Sequence, residues 1–230
     1  MAHAARFWTV IPAAGTGVRM GTAIPKQYLP LAGRTVIEHA LDGFLSHPRI
    51  AGITVVLAAD DTRWQPRAAR KPLRRAAGGK ERAHSVLNAL HSLREELHAD
   101  DWVLVHDAVR PCLHPDDLDR LVQTLERDPV GGILATPSTD TVKRVTEDNI
   151  ISETPDRQRL WRALTPQMFR YGLLTTALEA TLKSGYSPTD EAAAMESAGH
   201  AVRVVAGRSD NIKITQASDI ALAQAILATR

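Results

Sequence analysis

Short apolar runs that are typical of buried strands alternate along this chain with segments of helical periodicity. The strand-like runs span Phe7–Ile11, Ile53–Ala58, Trp102–Val105 and Gly132–Ala135. The helical segments between them span Thr35–Ser46, Ser85–Leu97 and Asp116–Glu126. Because parallel strands need a long crossover between them, this alternation predicts an α/β fold: a mostly parallel, twisted sheet with helices on both faces.

The alternation breaks at about residues 137–160. Short β-like runs separated by charged residues follow there, and they predict a protruding antiparallel β-arm. These runs are Thr141–Val145, Asn149–Ser152 and Arg159–Ala163. Two helices (Phe169–Lys183 and one starting near Thr189), a strand at Val202–Val205 and a helix at Ser218–Ala228 are predicted to complete the chain. No internal repeat or low-complexity linker divides residues 1–230, so we expect a single domain.

Composition excludes several classes of protein. An apolar fraction of 44% and a charged fraction of 23% are those of a globular chain, not of a disordered or fibrous one. The 28 Lys and Arg side chains against 26 Asp and Glu give a net charge of +2, which gives no reason to expect a nucleic-acid or membrane partner. Cys112 is the only cysteine, so no intramolecular disulfide can form. With no signal-like N-terminus and no apolar run of ~20 residues, we expect a cytoplasmic protein.

One local cluster of charge departs from this balance. Residues 63–82 carry eight Lys and Arg side chains against one acidic residue, Glu81. Such runs are usually solvated surfaces, and we interpret this one in that way. Attraction of a polyanionic substrate is the alternative.

A glycine-rich loop, PAAGTGVRM from Pro12 to Met20, follows the first predicted strand. Small residues let the backbone approach a ligand and direct its N–H groups at an anion. The loop matches neither the dinucleotide-binding fingerprint nor the phosphate-binding P-loop, because Met20 stands where each requires a glycine. Arg19 and Lys26 lie close downstream, and two fixed cations beside backbone donors suit a triphosphate that is being cleaved. A plain glycine turn with surface cations is the competing interpretation.

Two further motifs carry candidate ligand contacts. VHDAVRP lies at the carboxyl end of a predicted strand, where open α/β sheets bind ligands. Its Asp107 suits a ribose or a metal-bound water, whereas Arg110 pairs with a phosphate or, as we favour, locks the loop. We interpret His106 as a hydrogen-bonded packing residue. GGKERAHS precedes a helix, and Ser85 is either the N-cap of that helix or a ligand contact.

Together these motifs resemble the 2-C-methyl-D-erythritol 4-phosphate cytidylyltransferase family. The resemblance runs from about residue 8 to the C-terminus and rests on several motifs in order. They are PAAGTGVRM with PKQ, GGKERAHSV, VHDAVRP, DTVKR, DRQRLWRALTPQ, TDEA and DNIKIT. The resemblance implies a Rossmann-like nucleotidyltransferase fold and a reaction of CTP with 2-C-methyl-D-erythritol 4-phosphate that needs Mg²⁺ or another divalent cation and releases pyrophosphate. It also implies a homodimer in which the arm at about residues 137–160 reaches into the partner's active site.

The resemblance also implies roles for individual residues. Arg19, Lys26, Arg157 and Lys213 are the implied catalytic cations, the first two stabilising the transition state and the last two positioning the acceptor phosphate. The implied CTP pocket consists of Pro12, Ala13, Ala14, Gly15, Gly17, Gly79, Ser85 and Asp107. The implied acceptor pocket adds Arg110, Thr141, Thr165 and Thr189, and Asp107 is the candidate metal ligand. Arg157 and Thr141 would come from the second chain.

Two other functions stay open at this point. A ribitol 5-phosphate cytidylyltransferase would use the same chemistry on another acceptor, although those enzymes more often resemble LAGG where this chain has PAAG. A non-catalytic nucleotide-binding module on the same fold has no need of four cations. Because the chain ends at Arg230, shortly after its last predicted helix, we expect no fused cyclase domain such as some relatives carry.

Overall fold

The computed structural model describes residues 4–15, 24–66 and 68–230. Its strands are β1 Phe7–Pro12, β2 Pro30–Leu31, β3 Arg34–Thr35, β4 Ile50–Leu57, β5 Leu73–Ala77, β6 Trp102–Val105, β7 Gly131–Pro137, β8 Arg144–Val145, β9 Ile151–Glu153, β10 Trp161–Arg170 and β11 Arg203–Ala206. Its α-helices are α1 Val36–Ser46, α2 Arg82–Ser92, α3 Pro115–Leu125, α4 Tyr171–Lys183, α5 Glu191–Ser197 and α6 Ser218–Ala228. No helix within the described ranges is long and apolar enough to cross a bilayer.

Seven of these strands form one sheet in the order β11-β7-β10-β6-β1-β4-β5. Every neighbouring pair is parallel except the two pairs that include β10. The carboxyl ends of the parallel strands and the start of β10 therefore meet at the same edge. The predicted α/β fold with a mostly parallel sheet is confirmed.

Helices cover both faces of the sheet, and the strands are apolar on both sides. In β1, Phe7 and Ile11 pack with α1 and α3, whereas Trp8 and Val10 pack with α2, α4 and α5 on the opposite face. This is why the predicted strands are continuous apolar runs rather than alternating ones. A smaller cluster joins α6 to the β2–β3 hairpin through Leu31, Ile214 and Ala223.

The start of α1 follows from its sequence. Thr35 and Glu38 form a capping box: the Thr35 amide donates to a Glu38 carboxylate oxygen at 2.8 Å, and the Thr35 hydroxyl accepts from the helix backbone. Such a cap is worth about 1 kcal/mol.

The structure corrects several of the predicted elements. The basic segment contains an unpredicted edge strand, β5, because Arg74 and Arg75 point to solvent and disguise its strand character. Arg159–Ala163 is not part of the arm: the strand that begins at Trp161 belongs to the main sheet. The predicted helix Ser85–Leu97 begins earlier, at Arg82, and ends at Ser92.

Between β7 and β10 the chain leaves the sheet as a protruding arm in which β8 pairs antiparallel with β9. Every residue from 139 to 154 is exposed. The exposed set includes large apolar side chains: Val142 at 39%, Val145 at 49%, Ile150 at 64% and Ile151 at 59%. Apolar exposure of this kind is typical of a contact surface.

Candidate active site

A cleft of about 480 Å³ opens at the carboxyl ends of β1, β5 and β6. The loops after these strands form its walls, together with the segments around residues 26–27 and 213–215. Nine residues to which the motifs assign a role line it: Pro12, Ala13, Ala14, Gly15, Lys26, Gly79, Ser85, Asp107 and Lys213. Arg19 and Gly17 lie outside the described residues.

The glycine-rich loop after β1 is held in place by Gln27. The Gln27 side-chain amide is buried and donates to the carbonyl oxygens of Ala13 at 2.8 Å and Gly15 at 3.2 Å. The Ala13 amide donates to the Val56 carbonyl at 2.8 Å, which continues the pairing of β1 with β4. The sequence predicted no role for Gln27, although PKQ is part of the motif.

The second glycine turn packs directly against the first loop. A Cβ atom at Gly78 would lie 2.4 Å from the Ala14 Cβ, and one at Gly79 would lie 2.5 Å from the His84 Cβ. Ser85 fixes this turn, because its hydroxyl accepts from the Gly79 amide and donates to the Glu81 carbonyl, both at 3.0 Å. Ser85 is not the N-cap of α2, since the helix begins at Arg82 and Glu81 is its N-cap.

Asp107, just after β6, carries the site's central negative charge. Its Oδ1 lies 3.2 Å from Arg82 Nε, and its Oδ2 lies 2.9 Å from Lys213 Nζ and 3.6 Å from Arg110 Nε. Burial acts to raise the pKa of Asp107, but Arg82 and Lys213 hold it well below its ordinary range. The carboxylate is therefore ionised at neutral pH.

Two lysines come together from distant parts of the chain. Lys26 Nζ donates to the Thr215 carbonyl at 2.8 Å, and Thr215 lies two residues beyond Lys213. The segment at 213–215 thus contains one of the lysines and contacts the other, and both lysines line the cleft.

His106 is buried beneath the cleft. Its Nε2 donates to the Arg110 carbonyl at 3.0 Å, and its Nδ1 lies 2.9 Å from the Thr165 hydroxyl, which accepts from the Asp107 amide at 3.1 Å. Burial lowers the pKa of His106 to about 4. It is thus neutral at pH 7, with both ring nitrogens occupied, which matches its interpretation as a packing residue.

A second cleft of about 340 Å³ adjoins the first and shares Lys213 and Thr215 with it. Arg110 lines this second cleft, and its Nη1 donates to the Asn211 carbonyl at 2.7 Å. Within the described part of the chain, Arg110 Nε and Asn211 Oδ1 are buried without a hydrogen-bond partner. Arg162 adds a third cation. The sequence predicted nothing for Asn211 or Arg162.

The comparisons with known proteins agree with one another. The family model described as "IspD: 2-C-methyl-D-erythritol 4-phosphate cytidylyltransferase" matches residues 7–229. The chain is 58% identical over 217 residues to the enzyme of that name from Pseudomonas aeruginosa strain PAO1, which covers 93% of each chain. The chain belongs to the 2-C-methyl-D-erythritol 4-phosphate cytidylyltransferase family.

Solved structures of the family have the same fold. A crystal structure of 4-diphosphocytidyl-2C-methyl-D-erythritol synthase superposes with a TM-score of 0.83 at 35% identity, covering 98% of this chain and all (100%) of that one. The family enzyme from Francisella tularensis gives a TM-score of 0.80 at 34% identity, covering 96% and 100%. The family resemblance of the motifs and the nucleotidyltransferase class are thereby confirmed.

Four residues with family-implied roles do not line either cleft. Arg157 lies in a short 3-10 turn of the arm, where its Nη1 donates to the Thr139 carbonyl at 3.1 Å. Thr141 is exposed on the same arm, and Thr189 is exposed just before α5. Thr165 is buried behind Asp107. Within one chain, the arm residues remain apart from the cleft.

The donor set bears on the divalent cation that the resemblance implies. Across the described ranges, no cluster of three or more His, Cys, Asp or Glu side chains could hold a metal ion on its own. Two carboxylates of the described residues line the cleft, the ionised Asp107 and Glu81. Mg²⁺ is commonly held by one or two carboxylates, water and substrate phosphates, so this site fits Mg²⁺ that arrives with a triphosphate.

Proposed function

We propose that this chain transfers the cytidylyl group of CTP to 2-C-methyl-D-erythritol 4-phosphate. An oxygen of the acceptor phosphate attacks the α-phosphorus, the bond from that phosphorus to the bridging oxygen breaks, and pyrophosphate leaves. The products are 4-diphosphocytidyl-2-C-methyl-D-erythritol and pyrophosphate, and the reaction belongs to isoprenoid precursor synthesis. Family membership supports the substrates, and the two adjoining clefts support the mechanism.

The observation that carries the mechanism is the position of Lys213. It lines both clefts, so its amine can face an acceptor phosphate and the α-phosphate of a nucleotide at once. Holding two anions in line is a large part of the catalysis of such a reaction. A phosphate nucleophile is already ionised at neutral pH, so no base is needed, in keeping with a neutral His106.

In the larger cleft, we assign the triphosphate to the backbone of residues 12–15 and of Gly79. Glycine-rich turns of this kind direct N–H groups at phosphate oxygens. Lys26, together with Arg19 as predicted from the sequence, neutralises the charge that develops on the departing pyrophosphate. Asp107 would offer Mg²⁺ the remaining lone pairs of a carboxylate that stays paired with Arg82 and Lys213, and the metal when bound stabilises charge on the phosphate oxygens.

The second cleft suits the acceptor. Asn211 Oδ1 offers a buried acceptor to a ligand hydroxyl, and Arg110, whose Nε lies 3.6 Å from Asp107 Oδ2, adds positive charge for a ligand phosphate. An unsatisfied buried polar atom costs free energy, so a ligand that pairs with it gains affinity.

The arm provides the remaining acceptor contacts in a homodimer. Its exposed apolar side chains need a covering surface, and Arg157 and Thr141 are exposed with them. We assign both residues to the partner's site, where Arg157 adds a cation for the acceptor phosphate. We also assign the enzyme to the cytoplasm, in keeping with its single cysteine.

Pyrophosphate release by the purified protein tests the assignment. We expect release with CTP, Mg²⁺ and 2-C-methyl-D-erythritol 4-phosphate, and none when UTP, ATP or GTP replaces CTP. Release with ribitol 5-phosphate alone would keep the mechanism and replace the acceptor. A folded protein that releases no pyrophosphate with any pair would contradict the proposal in favour of a binding module.

A further inference from the structure

The guanidinium group of Arg82 lies between two acidic side chains at the wall of the larger cleft. Its Nη1 and Nη2 atoms donate to the two carboxylate oxygens of Glu191 at 2.7 and 3.0 Å. Its Nε donates to Oδ1 of Asp107 at 3.2 Å. One rigid, planar group therefore connects the first residue of α5 to the loop after β6.

The Glu191 side chain is held in one position. Its side chain is 1% exposed, and a buried carboxylate requires a charged partner. The start of α5 is anchored to β10 by Gln167, whose amide donates to Asp190 Oδ2 at 2.8 Å and whose Oε1 accepts from the Ala192 amide at 2.9 Å. The two-bond contact with Glu191 therefore sets the orientation of the Arg82 fork.

Because Arg82 holds the Asp107 carboxylate in place, Asp107 in turn fixes the position of the Lys213 amine. Arg82 occupies Oδ1 of the carboxylate, and Lys213 Nζ lies 2.9 Å from Oδ2. The Lys213 side chain is 44% exposed and ends a flexible four-carbon stem, so a fixed anion is what defines the position of its amine.

We propose, on the basis of the function proposed above, that Arg82 is a positioning residue oriented by Glu191. It fixes the Asp107 carboxylate, and through it the Lys213 amine, at the junction of the two clefts. The five charges involved are Glu191, Arg82, Asp107, Lys213 and Arg110, so the removal of one redistributes the contacts of the others.

Glu191→Gln tests this relay, by which we mean the series of contacts from Glu191 through Arg82 and Asp107 to Lys213. The substitution keeps the size of the side chain and one acceptor oxygen but removes its charge. Arg82 then has Asp107 as its remaining carboxylate partner and competes with Lys213 for it. We expect kcat to fall by about 10- to 100-fold, because small displacements of a positioning group have effects of that order, with KM for CTP within about threefold of wild type.

Asp101→Asn is the matched control. Asp101 is a fully buried carboxylate next to an arginine, and it lies just before β6, the strand whose other end leads to Asp107. It accepts from the Arg6 amide at 2.7 Å. We expect a loss of thermal stability similar to that of Glu191→Gln, with kcat within about twofold of wild type.

A double-mutant cycle separates positioning from stability. In a Lys213→Ala background, Glu191→Gln should have no further effect on kcat, because Glu191 acts on kcat only through the position of the Lys213 amine, which is already absent. Additive losses, an unchanged kcat in Glu191→Gln, or a change in KM for CTP alone would each overturn the proposal.

A second variant is available if Glu191→Gln does not fold. Arg82→Lys keeps a cation beside both carboxylates, and the same criteria apply to it. A wild-type protein that releases no pyrophosphate overturns the proposed function and this relay together, whereas an active wild type with unaffected variants overturns the relay alone.

Discussion

At the scale of single residues, Lys26 follows the glycine-rich loop and lines the larger cleft, and its amine donates to the Thr215 carbonyl. We expect Lys26→Ala to lower kcat by about 10²–10³-fold, by analogy with the loss of one preorganised charge-stabilising donor. Steady-state pyrophosphate release measures this. Lys183→Ala, which removes an exposed lysine from α4, should leave kcat unchanged. A folded Lys26→Ala enzyme with near-normal kcat would refute the role.

The buried His106 predicts how stability depends on pH. Burial lowers its pKa to about 4, whereas the unfolded chain takes up the proton near the ordinary value of about 6.5. Between these values the unfolded state binds more protons, so the free energy of unfolding decreases as the pH falls, by up to about 3 kcal/mol. The pKa of Asp107 is depressed, so the stability that Asp107 contributes is lost only below about pH 4.

Chemical denaturation from pH 7 to pH 4 measures this slope. His106→Gln should flatten it, and His91→Gln, on the exposed surface of α2, should leave it unchanged. An equally steep slope in His106→Gln would assign the pH dependence to other groups.

The sequence motifs and the family resemblance point to Lys26, Asp107 and Lys213, and the structure places all three at the larger cleft. The sequence could not predict Glu191 or Asn211, because their environment is created by contacts between distant segments. Arg82 contacts Glu191 across 109 positions, and the Asn211 side-chain amide donates to the Thr165 carbonyl across 46. In the sequence, Glu191 is simply an acidic residue at a helix start.

At the scale of elements, the two loops of the larger cleft touch where Gly78 faces Ala14. A Cβ at Gly78 would lie 2.4 Å from the Ala14 Cβ and 3.2 Å from the Leu57 carbonyl oxygen. An added methyl group must displace one of the two loops that hold the substrate, so we expect Gly78→Ala to lower kcat/KM for CTP by about tenfold or more. Gly43→Ala in α1, where the nearest atom lies at 3.9 Å, should leave it unchanged. Equal kinetics in the two variants would contradict the importance of this contact.

The predicted elements were most accurate where an apolar period was not interrupted. Trp102–Val105 and Ser218–Ala228 have the predicted bounds. β5 was missed because an edge strand needs apolar residues on one face only, and arginines are common at such edges. The start of β10 was wrongly assigned to the arm because its first three residues are exposed, although they continue the pairing with β7.

At the scale of the whole molecule, the proposed exchange of arms means that each active site contains residues of both chains. Mixed dimers of Arg157→Ala and Lys26→Ala subunits test this exchange. Each variant alone should be nearly inactive with the acceptor, but a mixed dimer holds one site with neither defect. An equal mixture should regain about a quarter of wild-type activity. If the mixture regains none while mixed dimers form, Arg157 does not act in the partner's site.

CTP labelled in its phosphates tests most directly whether the cytidylyl group moves from CTP to the acceptor. With CTP labelled at the α-phosphorus, we expect the label in the cytidylylated product, and only when 2-C-methyl-D-erythritol 4-phosphate is present. With CTP labelled at the γ-phosphorus, the label should appear in pyrophosphate in equal amount. An α-label that is released as CMP, or that stays in CTP while the acceptor is present, would contradict this transfer.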